Sequence, residues 1–463
     1  MRRVVVLTAA VAVALPALVG STVNAVAVSK KPTLDPAAVA GSMGYLERAY
    51  GVTPAEALRR LELQLDATQL DATLRAKASE VYGGMAIDHQ HGGVLVVDTT
   101  DPTVIRSLLA QFPDRTHIRT RTVRHSLAEL TAVRDRLAKE AGKDVTYLPA
   151  VDQQANTVVL WRRDPAAAGN TTVLVTVPDG VVVKDLPLPT PLSGQIDWGY
   201  CHPLFCGGYG PMRGGLRLDY TRADGGTSAC TTGFNVRSTG GGYADKTAWV
   251  LTAGHCDQKN SLPVQHNGTS VVRQQGVQKD FYPYDYQFLP YVDQSAADTW
   301  LTKQTPHNSV LLYCVDSTQN CDGHYAETGS QPITGVHALA DVKPGWVVCA
   351  DGSASNQRNY PQAADSGAGF DYLPGTRCGQ VTTTDVGINT TICARPGDSG
   401  GPLFSQVDNT ALGILAGSRA LVTGTCTEGE TSSYSPIGTI LDDVNAFSGG
   451  QGAHFQVITS TNG

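Results

Sequence analysis

Cysteine is absent from the first 200 residues of this 463-residue chain, and all ten cysteines fall between Cys201 and Cys426. No two of them have the two-residue spacing of a zinc knuckle, which removes the commonest structural metal site. Beyond residue 27 no apolar run is long enough to span a bilayer. Positive charge is scarce in the second half. Residues 201–463 hold 14 Lys and Arg against 22 Asp and Glu, out of chain totals of 35 and 42. That acidic half has no basic patch for nucleic acid. At 41% hydrophobic and 17% charged the chain can still bury a core, and its length allows two or three domains.

Residues 1–27 read as a secretory signal peptide. Arg2 and Arg3 give a positive start, Val4 to Val19 an apolar stretch containing Pro16, and Val23-Asn24-Ala25 or Ala25-Val26-Ala27 a small-residue cleavage site. A membrane anchor is disfavoured, because the run is short and no basic flank follows. Export predicts a secreted, extracellular protein, and an even cysteine count in an oxidising compartment predicts disulfides.

Residues 28–185 have α+β patterning. Thr53-Pro54-Ala55-Glu56 has the form of a capping box with Pro at the first helical position, followed by Leu58, Leu61 and Leu65 at helical spacing. Ser126-Leu127-Ala128-Glu129 opens a helix running to Gly142, and Asp101-Pro102 opens a short one. Gly93–Val97 and Thr157–Trp161 read as strands, and Pro178-Asp179-Gly180 as a hairpin turn between Val173–Val177 and Val181–Val183. His89 and His91, on a Gly-rich turn, read as solvated rather than as a metal pair. Residues 186–212, with Pro187, Pro189 and Pro191, form a stiff extended linker suited to proteolytic processing. Residues 213–463 show short apolar runs between Gly, Asn, Asp and Ser, which is all-β spacing, with a last helix over Thr439–Phe447.

Two motifs carry chemistry. Ser399 lies in Gly397-Asp398-Ser399-Gly400-Gly401-Pro402, where glycines can bare backbone N–H groups toward a carbonyl. His255 lies in Leu251-Thr252-Ala253-Gly254-His255-Cys256, directly after the apolar run Ala248–Leu251. A serine hydroxyl needs a base to take its proton, and the imidazole needs a carboxylate to fix its tautomer. Asp285, opening the alternating strand Tyr284-Asp285-Tyr286-Gln287-Phe288-Leu289, is the chosen carboxylate, with Asp280 in reserve. Gly397-x-Ser399-x-Gly401 also fits a nucleophile elbow, which would recruit Asp442 and His454. That fold requires a helix straight after the serine, where Pro402-Leu403-Phe404 reads as strand.

On these motifs residues 213–447 resemble the chymotrypsin-fold serine proteases, in the bacterial branch of streptogrisins and α-lytic protease. Cys230-Thr231-Thr232-Gly233-Phe234 with the His255 motif is similar to the histidine half. Ile392-Cys393-Ala394-Arg395-Pro396-Gly397-Asp398-Ser399-Gly400-Gly401-Pro402-Leu403 is similar to the serine half. The resemblance implies an all-β double β-barrel over 213–463 preceded by an α+β pro-region. It implies disulfides Cys230–Cys256, Cys349–Cys378 and Cys393–Cys426. Cys201–Cys206 and Cys314–Cys321 are added as short local loops. Catalysis would rest on His255, Asp285 and Ser399, with an oxyanion hole from the N–H groups of Gly397 and Ser399 and with no metal or cofactor. Tyr82–Thr100 and Leu148–Trp161 resemble the pro-region of that branch, which helps its protease fold, inhibits it and is cut off. The expected protein is therefore a secreted serine endopeptidase made as a zymogen. Its partners would be peptide substrate and its own pro-region, without nucleic acid or membrane, as a monomer.

Two departures qualify this. Ala416 stands where the family places a serine beneath the catalytic aspartate. Ala350-Asp351-Gly352 stands where the branch carries an arginine for the aspartate preceding the serine, so Asp398 needs another partner: Arg377, or a new N-terminal amine. Ala394, Pro396, Leu415, Gly417 and Ser418, with the Ser432-Ser433-Tyr434 stretch, are the expected pocket walls. They suit a medium or large apolar side chain, with Arg395 and Arg419 assigned to surface solvation. The competing functions are a protease-fold binding protein with little or no peptidase activity and a secreted esterase.

Overall fold

A computed structural model of the chain describes residues 34–142, 146–163, 180–192, 194–196, 212–243, 247–260, 262–266, 268–274, 277–297, 308–313, 327–353, 376–419, 429–448 and 453–459. The expected signal segment lies outside them, as do Cys201, Cys206, Cys314, Cys321 and Cys426.

The N-terminal part begins with helices α1 (Ala40–Tyr50) and α2 (Pro54–Lys77). Thr53 caps α2 by accepting the Glu56 N–H. The reciprocal half of the box is replaced: the Glu56 carboxylate turns to Arg59 and Arg60, which hold its pKa down at about 2 despite partial burial. Strands β1 (Tyr82–Asp88), β2 (Val94–Thr99) and β3 (Ile118–Thr122) form one sheet. Helix α3 (Pro102–Leu109) is capped by Asp101. Helix α4 (Leu127–Ala141) opens on a complete capping box from Ser126 and Glu129. A second sheet joins β4 (Tyr147–Asp152), β5 (Thr157–Arg162) and β6 (Val181–Asp185). β6 pairs with β5 in parallel; Val173–Val177, the expected hairpin partner of Val181–Val183, lies outside the described residues.

The rest is two sets of strands. β7 (Gly194–Ile196), β8 (Arg217–Thr221), β9 (Thr227–Thr231), β12 (Pro263–His266) and β13 (Thr269–Arg273) form one five-stranded sheet. β10 (Phe234–Thr239), β11 (Ala248–Thr252), β14 (Val277–Phe281), β15 (Tyr284–Pro290) and β25 (His454–Val457) form the other. Trp249, Phe288 and Phe455 fill the core of this set, with Trp249 donating its indole N–H to Ser238. In the second set β19 (Val347–Ala350), β20 (Arg377–Thr383), β21 (Ile388–Thr390), β22 (Pro402–Ser405), β23 (Thr410–Ser418) and β24 (Ser432–Pro436) run in a ring that closes by pairing β24 with β23. β16 (Ser309–Tyr313) pairs with β17 (Glu327–Pro332), and the short β18 (Gly335–Val336) adds to β23 in parallel, outside the ring. The C-terminal helix Ile437–Ser448 packs against this assembly through Ile440 and Val444.

The N-terminal part packs on the closed barrel along residues 343–347. Ile87 N–H donates to Pro344 O at 3.0 Å. The Gln64 side chain satisfies both backbone groups of Val347, its oxygen accepting at 2.7 Å and its nitrogen donating at 3.2 Å. Lys343, buried, meets Asp71 at 3.1 Å. On the other side of β19, Ser42 donates to Gln406 and Tyr50 to Gln380.

His89 belongs to this interface, which corrects the expectation of a solvated residue. Its sequence neighbour His91 is exposed on Asp88, but His89 is buried, with Nε2 2.7 Å from Gly345 O and its ring beside Tyr50. Bonding a carbonyl makes Nε2 the protonated nitrogen and leaves Nδ1 without a partner. Burial lowers the pKa from 6.5 to about 4, Gly345 pulls it up, and Arg60 lowers it further. Below pH 6.5 the undocked imidazole takes a proton that the docked one refuses, so stability is lost as pH falls from 6.5 toward 4, by up to about 3 kcal/mol. The expected result is that urea melts of the Ser399→Ala chain show a drop between pH 7 and pH 4.5 that is smaller in a His89→Gln background. Equal drops in both would remove His89 as the cause.

Candidate active site

The buried strand β11 delivers His255 through a short turn, Gly254–Cys256. Gly254 is required there: a Cβ would lie 1.8 Å from Lys279 O. The Cys230–Cys256 disulfide ties the turn to β9. The adjacent strand β15 brings Asp285 beside the imidazole. Asp285 Oδ1 accepts the backbone N–H of His255 at 2.9 Å, and Oδ2 lies 2.7 Å from Nδ1. The carboxylate therefore holds the proton on Nδ1 and leaves the Nε2 lone pair facing outward, where Ser399 Oγ sits at 2.7 Å. Ser399 and Asp285 are buried and His255 nearly so. Asp280 lies opposite Asp285 in the β14–β15 register but is exposed. His454 is on β25, exposed and paired with Thr239. The structure thus brings together the order His255, Asp285, Ser399 and leaves His454 in another sheet position.

Ser399 is presented by the turn between Ala394 and Pro402. Gly397 has φ +106°, a conformation other residues avoid, and its N–H points at a carbonyl, Leu192 O, at 2.6 Å. Asp398 is completely buried. Its Oδ2 accepts from Arg377 and from the backbone N–H of Arg395, each at 3.0 Å. Arg377 reaches it because β20 sets Cys378 opposite Cys349, joined as a disulfide, and Arg377 opposite Ala350. A guanidinium absent from one strand is supplied by its neighbour. Asp351 is also buried beside Asp398, and burial together with that carboxylate pushes its own pKa well up. Only Oδ1 has a partner, the Gly352 N–H.

Of the expected pocket residues, Ala394, Leu415, Gly417 and Ser418 are buried, whereas Pro396 is exposed. Ser432-Ser433-Tyr434 lies on β24 directly across from β23. Arg395 and Arg419 are not surface groups. Arg395 forms a buried pair with Glu430 at 2.7 and 3.0 Å, and Arg419 bonds Ser433 at 2.8 Å and meets Asp385 at 3.4 Å. Carboxylates already claim both cations. Ala416 puts a methyl into a cluster with Leu148, Ala150, Leu186, Tyr282 and Val386, so no hydroxyl from it can reach Asp285. Cys393 is disulfide-bonded. Thr190 and Leu192 were missed from sequence, the only signal being the proline-spaced extended stretch around them.

Replacing Arg377 with Ala would leave Asp398 buried without its guanidinium. The expected loss is about 3–5 kcal/mol in urea melts, with Arg377→Lys recovering part of it. An Arg377→Ala chain as stable as the parent would show that Arg377 does not hold the turn.

Residues 219–442 match the Trypsin family. Streptogrisin-D of Streptomyces griseus is 29% identical over 323 residues, covering 68% of this chain and 64% of its own. Serine protease 2 of Streptomyces fradiae is 29% identical over 211 residues, covering 45% of this chain and 94% of its own. Streptogrisin-C of Streptomyces griseus is 27% identical over 448 residues, covering 95% of this chain and 82% of its own. Two strand sets meeting at a His-Asp-Ser relay, together with these matches, show a trypsin-family domain over residues 219–442 with streptogrisins among its homologues.

Proposed function

We propose that the chain is a secreted serine endopeptidase made as a zymogen, in which residues 28–185 act as pro-region, residues 186–212 as the processing linker and residues 213–463 as the protease. The observation that carries the reading is the unbroken relay from Asp285 through His255 to Ser399, with the Gly397 N–H bonded to a peptide carbonyl beside it. His255 Nε2 takes the Ser399 proton as Oγ attacks an amide carbonyl. Asp285 holds the tautomer and stabilises the imidazolium. The N–H groups of Gly397 and Ser399 take the charge developing on oxygen. Protonated His255 then gives its proton to the leaving amine, and water repeats the cycle on the acyl-enzyme.

Export is supported by residues 1–27 and by the cysteine usage, and no helix among the described residues is long and apolar enough to cross a membrane. The pro-region role is supported by the extent of the Streptogrisin-C match and by the packing of residues 34–163 on the barrel. The protein would act as a monomer on peptide substrates without cofactor, metal or nucleic acid. A second reading, a protease-fold binding protein, draws on Ala416, which withholds a hydrogen bond from Asp285.

A fluorophosphonate probe and a peptide substrate separate these. The expected result is one adduct on the secreted protein, absent in Ser399→Ala, with kcat/KM lowered about 10⁴-fold or more in Ser399→Ala and His255→Ala, and little changed in His454→Ala. Absence of both adduct and hydrolysis would favour the binding protein. Loss through His454→Ala but not His255→Ala would favour an esterase of different architecture.

A further inference from the structure

Thr231, the last residue of β9, is fully buried, and its polar groups are all engaged around the relay. Its N–H donates to Ser399 O at 2.8 Å. Its carbonyl accepts the hydroxyl of Thr252, just before His255 in the chain, at 2.8 Å. Its own hydroxyl donates to Gly397 O at 2.8 Å. The preceding residue, Cys230, is disulfide-bonded to Cys256, so Thr231 is also tied to the turn that carries His255. Ser353, likewise buried, stands behind the hydroxyl: its N–H donates to Thr231 Oγ1 at 2.9 Å, and its Oγ lies 2.7 Å from that atom. A hydroxyl has one proton to give and Gly397 O can only accept, so the Thr231 proton goes to Gly397. Ser353 Oγ is then the donor of its pair, in preference to the longer 3.4 Å approach to Cys230 O. Thr231 Oγ1 thus gives one hydrogen bond and receives two, and turning it away would break all three.

We infer that Thr231 is a positioning residue for the reaction: its hydroxyl, backed by Ser353, holds the Gly397 carbonyl so that the Gly397 N–H stays aimed at the oxygen of the reacting carbonyl. The inference rests on the peptidase reading above and adds to it the group that keeps the oxyanion site in shape. Gly397 needs such a hold. With φ +106° and no Cβ, it can change backbone state at little cost, and a change turns its N–H out of line. Asp398, bonded to Arg377 and to the Arg395 N–H, fixes the residue that follows, while the Thr231 hydroxyl fixes the carbonyl of Gly397 itself. Held from that side, the N–H points into the cleft, where Leu192 O meets it at 2.6 Å and Thr190 pairs with Ser418 alongside. A donor aimed in advance needs no rearrangement as charge develops on oxygen, which is where its contribution to the rate lies. Among the described residues Thr231 bonds neither His255 nor Ser399 Oγ, so proton transfer between those two does not run through it.

The test is Thr231→Val, which keeps the shape and the N–H bond to Ser399 but removes the hydroxyl, beside Thr231→Ala and Thr231→Ser. The secreted enzyme is assayed on the best of a panel of tetrapeptide p-nitroanilides, with active sites counted by fluorophosphonate labelling carried to completion. The expected result for Thr231→Val is a kcat lowered about 10- to 100-fold with KM within about threefold, less than the loss from deleting such a donor outright. Thr231→Ser should return to within about threefold of the parent. A peptide aldehyde, whose adduct with Ser399 puts an oxyanion in the same place, should lose affinity by the factor lost in kcat/KM, while the product peptide acid binds as it does to the parent. The acid limb of the pH profile, set by His255, should not move. Because Thr231→Val leaves Gly397 O and Ser353 N–H bare in the interior and can cost folding, Thr231→Ala, with room for a water that satisfies both without fixing them, is read the same way. A parent-like kcat in Thr231→Val and Thr231→Ala, an equal loss in Thr231→Ser, or a raised KM with kcat unchanged would overturn the inference. With the parent active, each of these leaves the peptidase reading standing. If the parent hydrolyses no peptide, both fall.

Discussion

A single buried carboxylate organises the nucleophile turn. Asp398 has no access to water, and a lone charge in that position would cost several kcal/mol. Arg377 and the Arg395 N–H make it tolerable, and in doing so they fix the two ends of the turn that carries Gly397 and Ser399. The strained φ of Gly397, the aim of its N–H and the contact between Oγ and His255 all depend on that turn keeping one shape. Arg377 can serve only because β19 and β20 are in the register that also sets Cys349 opposite Cys378. The disulfide and the ion pair are therefore two outcomes of one strand pairing.

The N-terminal layer grips the same strand. Gln64 bonds the backbone of Val347, and Ser42 lies against Cys349 Sγ at 3.4 Å. The segment that supplies Arg377's register is thus held from outside by a layer that itself continues, through residues 180–192, into the cleft. Packing, charge pairing and occupancy of the site are continuous along one path. In the proposed zymogen a layer placed in this way would template the barrel as it forms and block the cleft afterwards.

The relay was legible because its chemistry leaves marks in the chain. A nucleophile needs glycines around it, a base needs a rigid strand behind it, and each brings a cysteine. Asp285 could be chosen over Asp280 by strand alternation, and the structure has one buried and the other exposed. Helix starts were equally plain at Ser126 and Asp101, where a side chain must satisfy free N–H groups. What escaped depends on partners distant in sequence. His89 is buried only because Gly345 lies 256 residues away, and Arg395 is internal only because Glu430 neutralises it. Local pattern cannot report such pairings.

Ala416 shares its cluster with Leu148, Ala150 and Leu186 on one side and with Tyr282 and Val386 on the other. While the layer is in place this is ordinary core. Were the proposed processing to remove the layer, the same residues would become a strip of oil on the outside of an otherwise acidic molecule. The precursor would then be the better-behaved colloid of the two forms, and the liberated barrel the one with a tendency to adhere: to other copies, to unfolded chains, or to the layer it had shed.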